Sequence, residues 1–256
     1  MASRECKGPR LFVEGLRERG ALVSNSLIHL SPDDSHYLKD VLRLPVGALV
    51  ELADPDTGET FKATIASDTD GITVSIIEKY DPLATDISIT LLCALCKGQK
   101  NELITDWATE LGCSQIIFWQ ADRSIVRLKS EADADAKTLK FSKAALAAAQ
   151  QSRQVRPPQV MVTTSLPKAL SQLSLPSETL KVCCSLEHEA PLLSEMTCHL
   201  KPGGSVALVI GPEGDLTPEE LRNLHEAGFT AASLGRQVLR SELAAVTALV
   251  TVKNAI

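Results

Sequence analysis

Two consecutive strand–glycine-turn–helix segments constrain what this chain can fold into more than any other feature of it. In the first, the apolar run Val206 to Ile210 enters Gly211-Pro212-Glu213-Gly214 and is followed by Thr217-Pro218-Glu219-Glu220. In the second, Phe229 to Leu234 enters Gly235 and a loop rich in Arg, Ser and Glu that reaches Glu242. A short apolar run without alternation is expected of a strand buried on both faces. Thr217 has the side chain of an N-cap, Pro218 suits the first helical position, and Glu220 completes a capping box. Gly228 is placed to end that helix. Beyond Glu242, Leu243, Val246, Leu249 and Val250 recur at helical spacing. Gly211 and Gly214 permit positive φ and let a ligand approach the backbone closely. Paired turns of this kind build a ligand crevice at the carboxyl ends of parallel strands. Taken locally, the pattern fits any α/β protein with two such turns.

The rest of the chain falls into two styles. Residues 1–80 suggest a small β-barrel or sheet domain, with strands at 48–53, 59–65 and 71–77 separated by the turn clusters Asp54 to Gly58 and Ser67 to Gly71. A short helix is expected over 35–44. Asp81-Pro82 reads as a boundary. Residues 81–256 then alternate strands and helices: strand 87–95, an amphipathic helix 99–111 closed by Gly112, strand 115–119, an alanine-rich helix 137–151, and strands near 160, at 180–184, at 206–210 and near 231–234. Such alternation implies a parallel sheet with helices on its faces, hence an α/β fold. Ser130 to Ala136, with Glu131, Asp133 and Asp135, reads as an acidic solvated loop.

Composition removes several classes of function. Hydrophobic residues at 44% and charged residues at 23% are the balance of a globular chain with a real core. No apolar run reaches the roughly 18 residues a membrane helix needs, and the start Met1-Ala2-Ser3-Arg4 has no apolar signal region, so the cytoplasm is the expected location. Seven cysteines form no regular framework, and the Cys93/Cys96 pair lacks a second ligand pair, so buried apolar roles are expected. His29, His36, His188, His199 and His225 show no ligand spacing, and no metal is expected. A net charge of −6 argues against a non-specific nucleic-acid binder. Residues 97–156 nevertheless hold 10 Lys+Arg against 7 Asp+Glu, which permits contact with a phosphate backbone.

At this point the motifs resemble a known family. Ile210-Gly211-Pro212-Glu213-Gly214, followed by Leu234-Gly235 and Leu239-Arg240-Ser241-Glu242, is similar to the end of the RsmE family, bacterial 16S ribosomal RNA uridine N3-methyltransferases of the SPOUT class. Pro9 to Phe12, His36 to Leu44, Lys97 to Lys100 with Glu110 to Gly112, Arg123-Ser124, and Gln151 with Arg156 and Pro158 extend the resemblance over nearly the whole chain. It implies a PUA-like RNA-binding barrel over 1–80 and a trefoil-knot methyltransferase domain over 81–256. It also implies S-adenosylmethionine as cofactor, 16S ribosomal RNA in the small subunit as partner, and a homodimer whose partner subunit completes each site. The cofactor set that it implies is Leu186, Ile210, Gly211, Pro212, Glu213, Gly214, Leu234, Gly235, Val238 and Leu239. Arg240 and Glu242 are its catalytic candidates. Arg240 would stabilise charge on a uracil oxygen, and Glu242 would either orient Arg240 or accept a proton. A structural ion pair between the two is the plain alternative. His188 is a further candidate for the cofactor pocket wall. Arg10, Arg43, Lys97, Arg123 and Arg156 are the implied RNA contacts.

Several positions depart from the family pattern. Asp215 stands where a second glycine is usual, Gln237 replaces an arginine, Ser241 and Leu243 replace threonines, and Trp107 replaces a lysine. Arg153-Gln154 replaces a Gly-Arg pair. Losing a fixed cation bears on RNA affinity more than on the fold. Two rival readings follow: a relative that binds RNA or the ribosome without methyl transfer, and an unrelated α/β nucleotide-binding enzyme. The second lacks GxGxxG and Walker patterns.

Overall fold

The computed structural model describes residues 8–80, 87–185 and 190–255. The chain divides into two compact units, the first also taking in residues 149–157, an excursion that the change of pattern near residue 81 does not announce.

In the first unit, β1 (Arg10–Phe12), β2 (Leu27–His29), β3 (Leu49–Ala53), β4 (Thr60–Ser67) and β5 (Thr73–Tyr80) form one sheet in the order β1-β3-β4-β5-β2. β1 runs parallel to β3 and the other pairings are antiparallel. Alternation decides which side is covered: Phe61, Ala63 and Ile65 of β4 and Val74 and Ile76 of β5 point into a core with Leu11, Leu16, Ile28, Leu38 and Leu52. The helix expected over 35–44 begins earlier, as α1 (Pro32–His36), and continues as a π-helical turn, Tyr37–Val41. Ser31 sets that start, its Oγ accepting from the Asp34 N–H while Pro32 occupies the first turn.

The second unit holds a six-stranded, all-parallel sheet in the order β11-β9-β10-β6-β7-β8. Its strands are β6 (Ile87–Ala94), β7 (Cys113–Trp119), β8 (Gln159–Thr163), β9 (Leu180–Cys184), β10 (Gly204–Ile210) and β11 (Thr230–Ala232). The helices are α2 (Lys100–Glu110), α3 (Glu131–Gln151), α4 (Leu166–Ser171), α5 (Leu193–Thr197), α6 (Pro218–Glu226) and α7 (Ser241–Lys253). Successive side chains of the central strands enter opposite cores. Leu91, Cys93, Phe118 and Leu208 pack with Ile104, Phe141, Ala245 and Leu249 of α2, α3 and α7. Leu92, Ile117, Trp119, Ala207 and Val209 pack with Leu166 and Leu224 of α4 and α6. Both faces are therefore dry, which is why these strands read as continuous apolar runs.

Two expectations need correction here. The acidic stretch 130–136 is the first turns of α3, not a loop: Ser130 Oγ accepts from the Asp133 N–H at 3.2 Å, and Glu131 and Asp133 sit favourably at the positive end of the helix dipole. The apolar repeat of α7 is not a single core stripe. Ala245, Ala248, Leu249 and Val252 are buried, whereas Leu243 and Val250 are exposed, so the helix carries two apolar faces.

Candidate active site

The carboxyl ends of β9, β10 and β11 open into one cavity of about 930 Å³. Its wall comes from Cys184 and Ser185 after β9, from Ile210, Gly211, Pro212, Glu213 and Asp215 after β10, and from Ser233 through Ser241 after β11. This is the crevice that the paired turns predict. Of the implied cofactor residues, Ile210, Gly211, Pro212, Glu213, Leu234, Gly235, Val238 and Leu239 all line it. Leu186 and His188 lie outside the described residues.

Each loop is held by identifiable contacts. In the first, the Asp215 N–H donates to Pro212 O at 3.0 Å and closes a turn. Positive φ falls on Asp215 (62°), not on Gly211 or Gly214. The Asp215 carboxylate offsets that conformation by accepting from the Leu216 N–H at 2.8 Å. Gly211 and Gly214 are needed for space instead. A Cβ on Gly211 would come within 3.2 Å of Leu216 Cγ, and one on Gly214 within 3.1 Å of Arg123 Cβ and O. Gly214 consequently backs onto Arg123 and is not part of the cavity wall. The predicted capping box is present: Thr217 Oγ1 accepts from the Glu220 N–H at 3.2 Å, and Glu220 Oε2 accepts from the Thr217 N–H at 2.9 Å. Glu220 Oε1 also accepts from the Asp122 N–H at 3.2 Å and from Trp119 Nε1 at 3.5 Å, tying α6 to the end of β7.

The second loop is fastened at both ends. Ser233 exchanges backbone hydrogen bonds with Pro191 and Leu193, 2.8 and 2.9 Å. Ser241 Oγ donates to Gly211 O at 3.1 Å, joining the start of α7 to the first loop. Gly235, at φ 123°, has open space where a Cβ would stand, so at this glycine the backbone conformation makes the requirement.

Arg240 is exposed at the N-cap of α7, and among the described residues its side chain makes no ion pair or hydrogen bond. The plain alternative, an Arg240–Glu242 pair, is not formed. Glu242 instead meets Lys100, whose Nζ lies 3.1 Å from Glu242 Oε2 and 2.9 Å from Glu213 Oε1. The Glu242 oxygen is buried and within ion-pair distance, but it is not aligned for a hydrogen bond. The hydrogen bond to Glu213 foremost, with Glu242 adding to it, raises the Lys100 pKa. Burial works against ionising Glu213, yet the hydrogen bond and charge of Lys100 bring its pKa below the ordinary value. Lys100 is the site residue that motif reading missed. Its only signal was its place in the Lys97 to Lys100 stretch of the family resemblance, which gave it no role of its own.

The buried cysteines Cys93, Cys96, Cys113 and Cys183 behave as small apolar groups, whereas Cys198 is exposed. Cys93 and Cys96 are buried, both thiols donating to Ala94 O, and Cys93 is held well above its ordinary pKa by its hydrogen bond to Cys96 and by burial. Cys184, at the cavity wall, is pushed up to about 12 by burial and stays neutral. Among the described residues no group of three or more potential metal ligands occurs, and no helix is long and apolar enough to cross a membrane.

The implied RNA contacts divide. Lys97 and Arg123 are exposed on the second unit, Arg123 Nη1 reaching Gly214 O and Leu216 O at 3.4 and 3.3 Å. Arg43 and Arg156 are exposed on the first unit. Arg10 does not fit the role: it is 5% exposed, its Nε bound to Glu51 and its Nη1 donating to Arg153 O at 2.7 Å and to Gln154 O. A guanidinium with those partners is an internal brace that fastens residues 149–157 to the first unit.

A second cavity, an apolar groove of about 700 Å³, adjoins the first through Val238, Leu239 and Arg240, which line both. Trp107 of α2, Leu111 just beyond its end, and Leu243, Val246 and Val250 of α7 form its walls.

Comparison with known proteins agrees with this geometry. A family model described as an RNA methyltransferase domain matches residues 84–253. The chain is 28% identical over 247 residues to the ribosomal RNA small subunit methyltransferase E of Bacillus subtilis, covering 94% of each chain. It is 27% identical over 239 residues to the enzyme of the same name from Mycobacterium bovis, covering 93% of this chain and 88% of that one. A crystal structure of the Neisseria gonorrhoeae ribosomal RNA small subunit methyltransferase E bound to S-adenosyl methionine superposes with a TM-score of 0.78 at 25% identity, covering 94% of this chain and 95% of that one.

Proposed function

Because the chain belongs to the RNA methyltransferase domain family, we propose that it transfers the methyl group of S-adenosylmethionine to N3 of a uridine in 16S ribosomal RNA of the small subunit. The observation that carries this is the cavity at the carboxyl ends of β9 to β11 with the unpaired Arg240 at its mouth.

The residues present fit the cofactor. The cavity falls within the ~300–1,000 Å³ of small-molecule sites. Its wall offers backbone groups at Gly211, Leu234, Gly235 and Leu239, with open space at Gly235. Bound there, S-adenosylmethionine supplies an electrophilic methyl group on a sulfonium. Gly211, Leu234 and Leu239 hold the adenine and ribose through backbone groups. Arg240 orients the uracil and stabilises negative charge on its oxygen while the N3–H proton passes to solvent water at this exposed mouth and N3 takes up the methyl group, the thioether product departing. A guanidinium already paired with a carboxylate would be poor at this, so Glu242 serves the site through Lys100 and the start of α7. Lys97, Arg123, Arg43 and Arg156 remain as RNA contacts.

The same reading makes residues 1–80 a PUA-like RNA-binding barrel and residues 81–256 a trefoil-knotted SPOUT domain, of which residues 149–157 group with the first unit, and the location cytoplasmic. Support for the knot comes from the close packing of the two loops: Ser241 Oγ donates to Gly211 O, and Ser233 bridges Leu192. A second copy of the chain covers the groove between α2 and α7. Exposed Trp107, Leu243 and Val250 give it reason to do so. Sedimentation finding only monomer would remove this part.

The test of the activity is direct. Titration calorimetry should show S-adenosylmethionine binding, and mass spectrometry of ribosomal RNA from a deletion strain should show loss of a methyluridine. Arg240→Ala should keep cofactor binding and lose about 100-fold or more in turnover. Wild-type turnover in that variant refutes the assignment, and unchanged methyluridine content favours RNA binding without methyl transfer.

A further inference from the structure

We infer that Lys100 is a positioning residue for this site: its single positive charge bridges Glu213 and Glu242 and thereby fixes the two loops that carry the cofactor pocket and Arg240. The inference rests on the reading of the site as a methyltransferase centre.

Lys100 belongs to neither loop. It stands in the first turn of α2, and the backbone before it is set by the turn at Gly98, φ 72°. The helix that carries it is anchored at its neighbour Asn101, which is buried and brackets Cys96: Asn101 Oδ1 accepts from the Cys96 N–H and Asn101 Nδ2 donates to Cys96 O, both at 2.8 Å. The end of β6 is thereby locked to the start of α2. From that anchor the ammonium reaches Glu213 of the first loop at 2.9 Å and Glu242 of α7 at 3.1 Å.

The two carboxylates stand on different walls. Glu213 lines the cavity at the carboxyl ends of the strands, whereas Glu242 lines the groove beside it. Arg240, two residues before Glu242, lines both. A single cation thus sets the spacing of two loops that are joined otherwise by the Ser241–Gly211 hydrogen bond. Without it, two carboxylates face each other with their nearest oxygens at most about 6 Å apart. At that distance like charges repel strongly in a partly dry site, and separation of the loops relieves the repulsion. The start of α7 then moves away from the first loop and takes Arg240 with it. A displacement of about 1 Å at a reacting group is enough to cost about 100-fold in rate.

The experiment compares wild type, Lys100→Met, Lys100→Arg and the double variant Lys100→Met/Glu213→Gln by steady-state methylation of 16S ribosomal RNA and by calorimetry with S-adenosylmethionine. Tryptophan fluorescence on urea unfolding checks that each variant is folded. Lys100→Met should lose about 50-fold in kcat with KM for RNA changed less than about 3-fold, and should weaken cofactor binding several-fold. Lys100→Arg should return to within about 5-fold of wild type. Glu213→Gln should recover about 10-fold on the Lys100→Met background, because it removes one of the two facing charges. Wild-type kcat in Lys100→Met overturns the inference. So does equal loss in all three variants, since a contact of shape alone gains nothing from deleting a carboxylate. If wild type itself transfers no methyl group, the functional reading fails, and the cofactor affinities of the four proteins still decide for or against Lys100.

Discussion

Glu220→Ala is the sharpest test of how the first loop is held. Glu220 is 4% exposed and serves as acceptor three times over: from the Thr217 N–H at 2.9 Å, the Asp122 N–H at 3.2 Å and Trp119 Nε1 at 3.5 Å. Truncation removes the reciprocal half of the capping box, about 1 kcal/mol. It also strands the indole N–H of Trp119, which is fully buried, and the Asp122 N–H, adding about 1–3 kcal/mol for donors left without acceptors. The expected loss is about 3 kcal/mol. Glu220→Gln keeps one acceptor oxygen but puts an NH2 donor where the other stood, facing either the Thr217 N–H or the Asp122 and Trp119 donors, and should lose about 1–2 kcal/mol. Both tryptophans of the chain, Trp107 and Trp119, lie in the second unit, so intrinsic fluorescence during urea unfolding reports that unit without interference from the first. A double-mutant cycle with Thr217→Ala should give a coupling of about 0.5–1 kcal/mol, because each side chain caps the other's backbone. An Ala variant within about 0.5 kcal/mol of wild type would refute the claim that this carboxylate ties α6 to β7.

Two further outcomes are expected. Glu59 accepts two hydrogen bonds from Arg17, at 2.7 and 2.5 Å, and one from Lys79 at 2.5 Å; these partners, Arg17 foremost, lower its pKa from 4.5 to about 2. Its folded-state pKa is depressed, so its contribution is complete above pH 4.5 and is lost as pH falls from there towards 2. With Arg17 half exposed and screened, that contribution is about 1–2 kcal/mol. Acid titration of Glu59→Gln should lack this part of the slope, and an unchanged slope would refute the assignment. At Asp215, whose φ is 62°, Gly should be more stable than Ala by about 1 kcal/mol, measured by urea unfolding; the reverse order would show that the left-handed conformation is not kept.

The elements whose boundaries are set by local chemistry were legible in the sequence. Thr217, Pro218, Glu220 and Gly228 delimit α6 as expected, and the dry strands declare themselves by apolar runs. What failed were features decided by tertiary neighbours. The acidic residues of 130–136 look like a solvated loop until the helix dipole they serve is present. Arg10 has the composition of an RNA contact, but Glu51 and the carbonyls of Arg153 and Gln154, remote in sequence, claim it. Lys100 was invisible as a site residue for the same reason. Its two partners, Glu213 and Glu242, come from elements more than a hundred residues away, and no local spacing encodes that meeting.

The departures from the family pattern change meaning once their places are known. In the sequence, only the departures that lose a cation, such as Gln237 and Trp107, bear on RNA affinity, and Asp215 and Leu243 carry no reading of their own. In the structure Asp215 keeps the backbone conformation that a glycine would favour and supplies its own hydrogen bond to sustain it. Trp107 and Leu243, on different helices, line the same groove. Where the family resemblance leads one to expect a lysine and a threonine, two large apolar side chains stand, and both raise the apolar area that a covering surface would remove from water. Paired changes of that kind concern association more than phosphate binding. At Gln237 the loop still carries an exposed cation one residue earlier, Arg236, at the wall of the same cavity. Four departures thus reduce to one tolerated backbone conformation, one more apolar groove and one shifted charge, and none of them removes a group that the cofactor cavity or Arg240 requires.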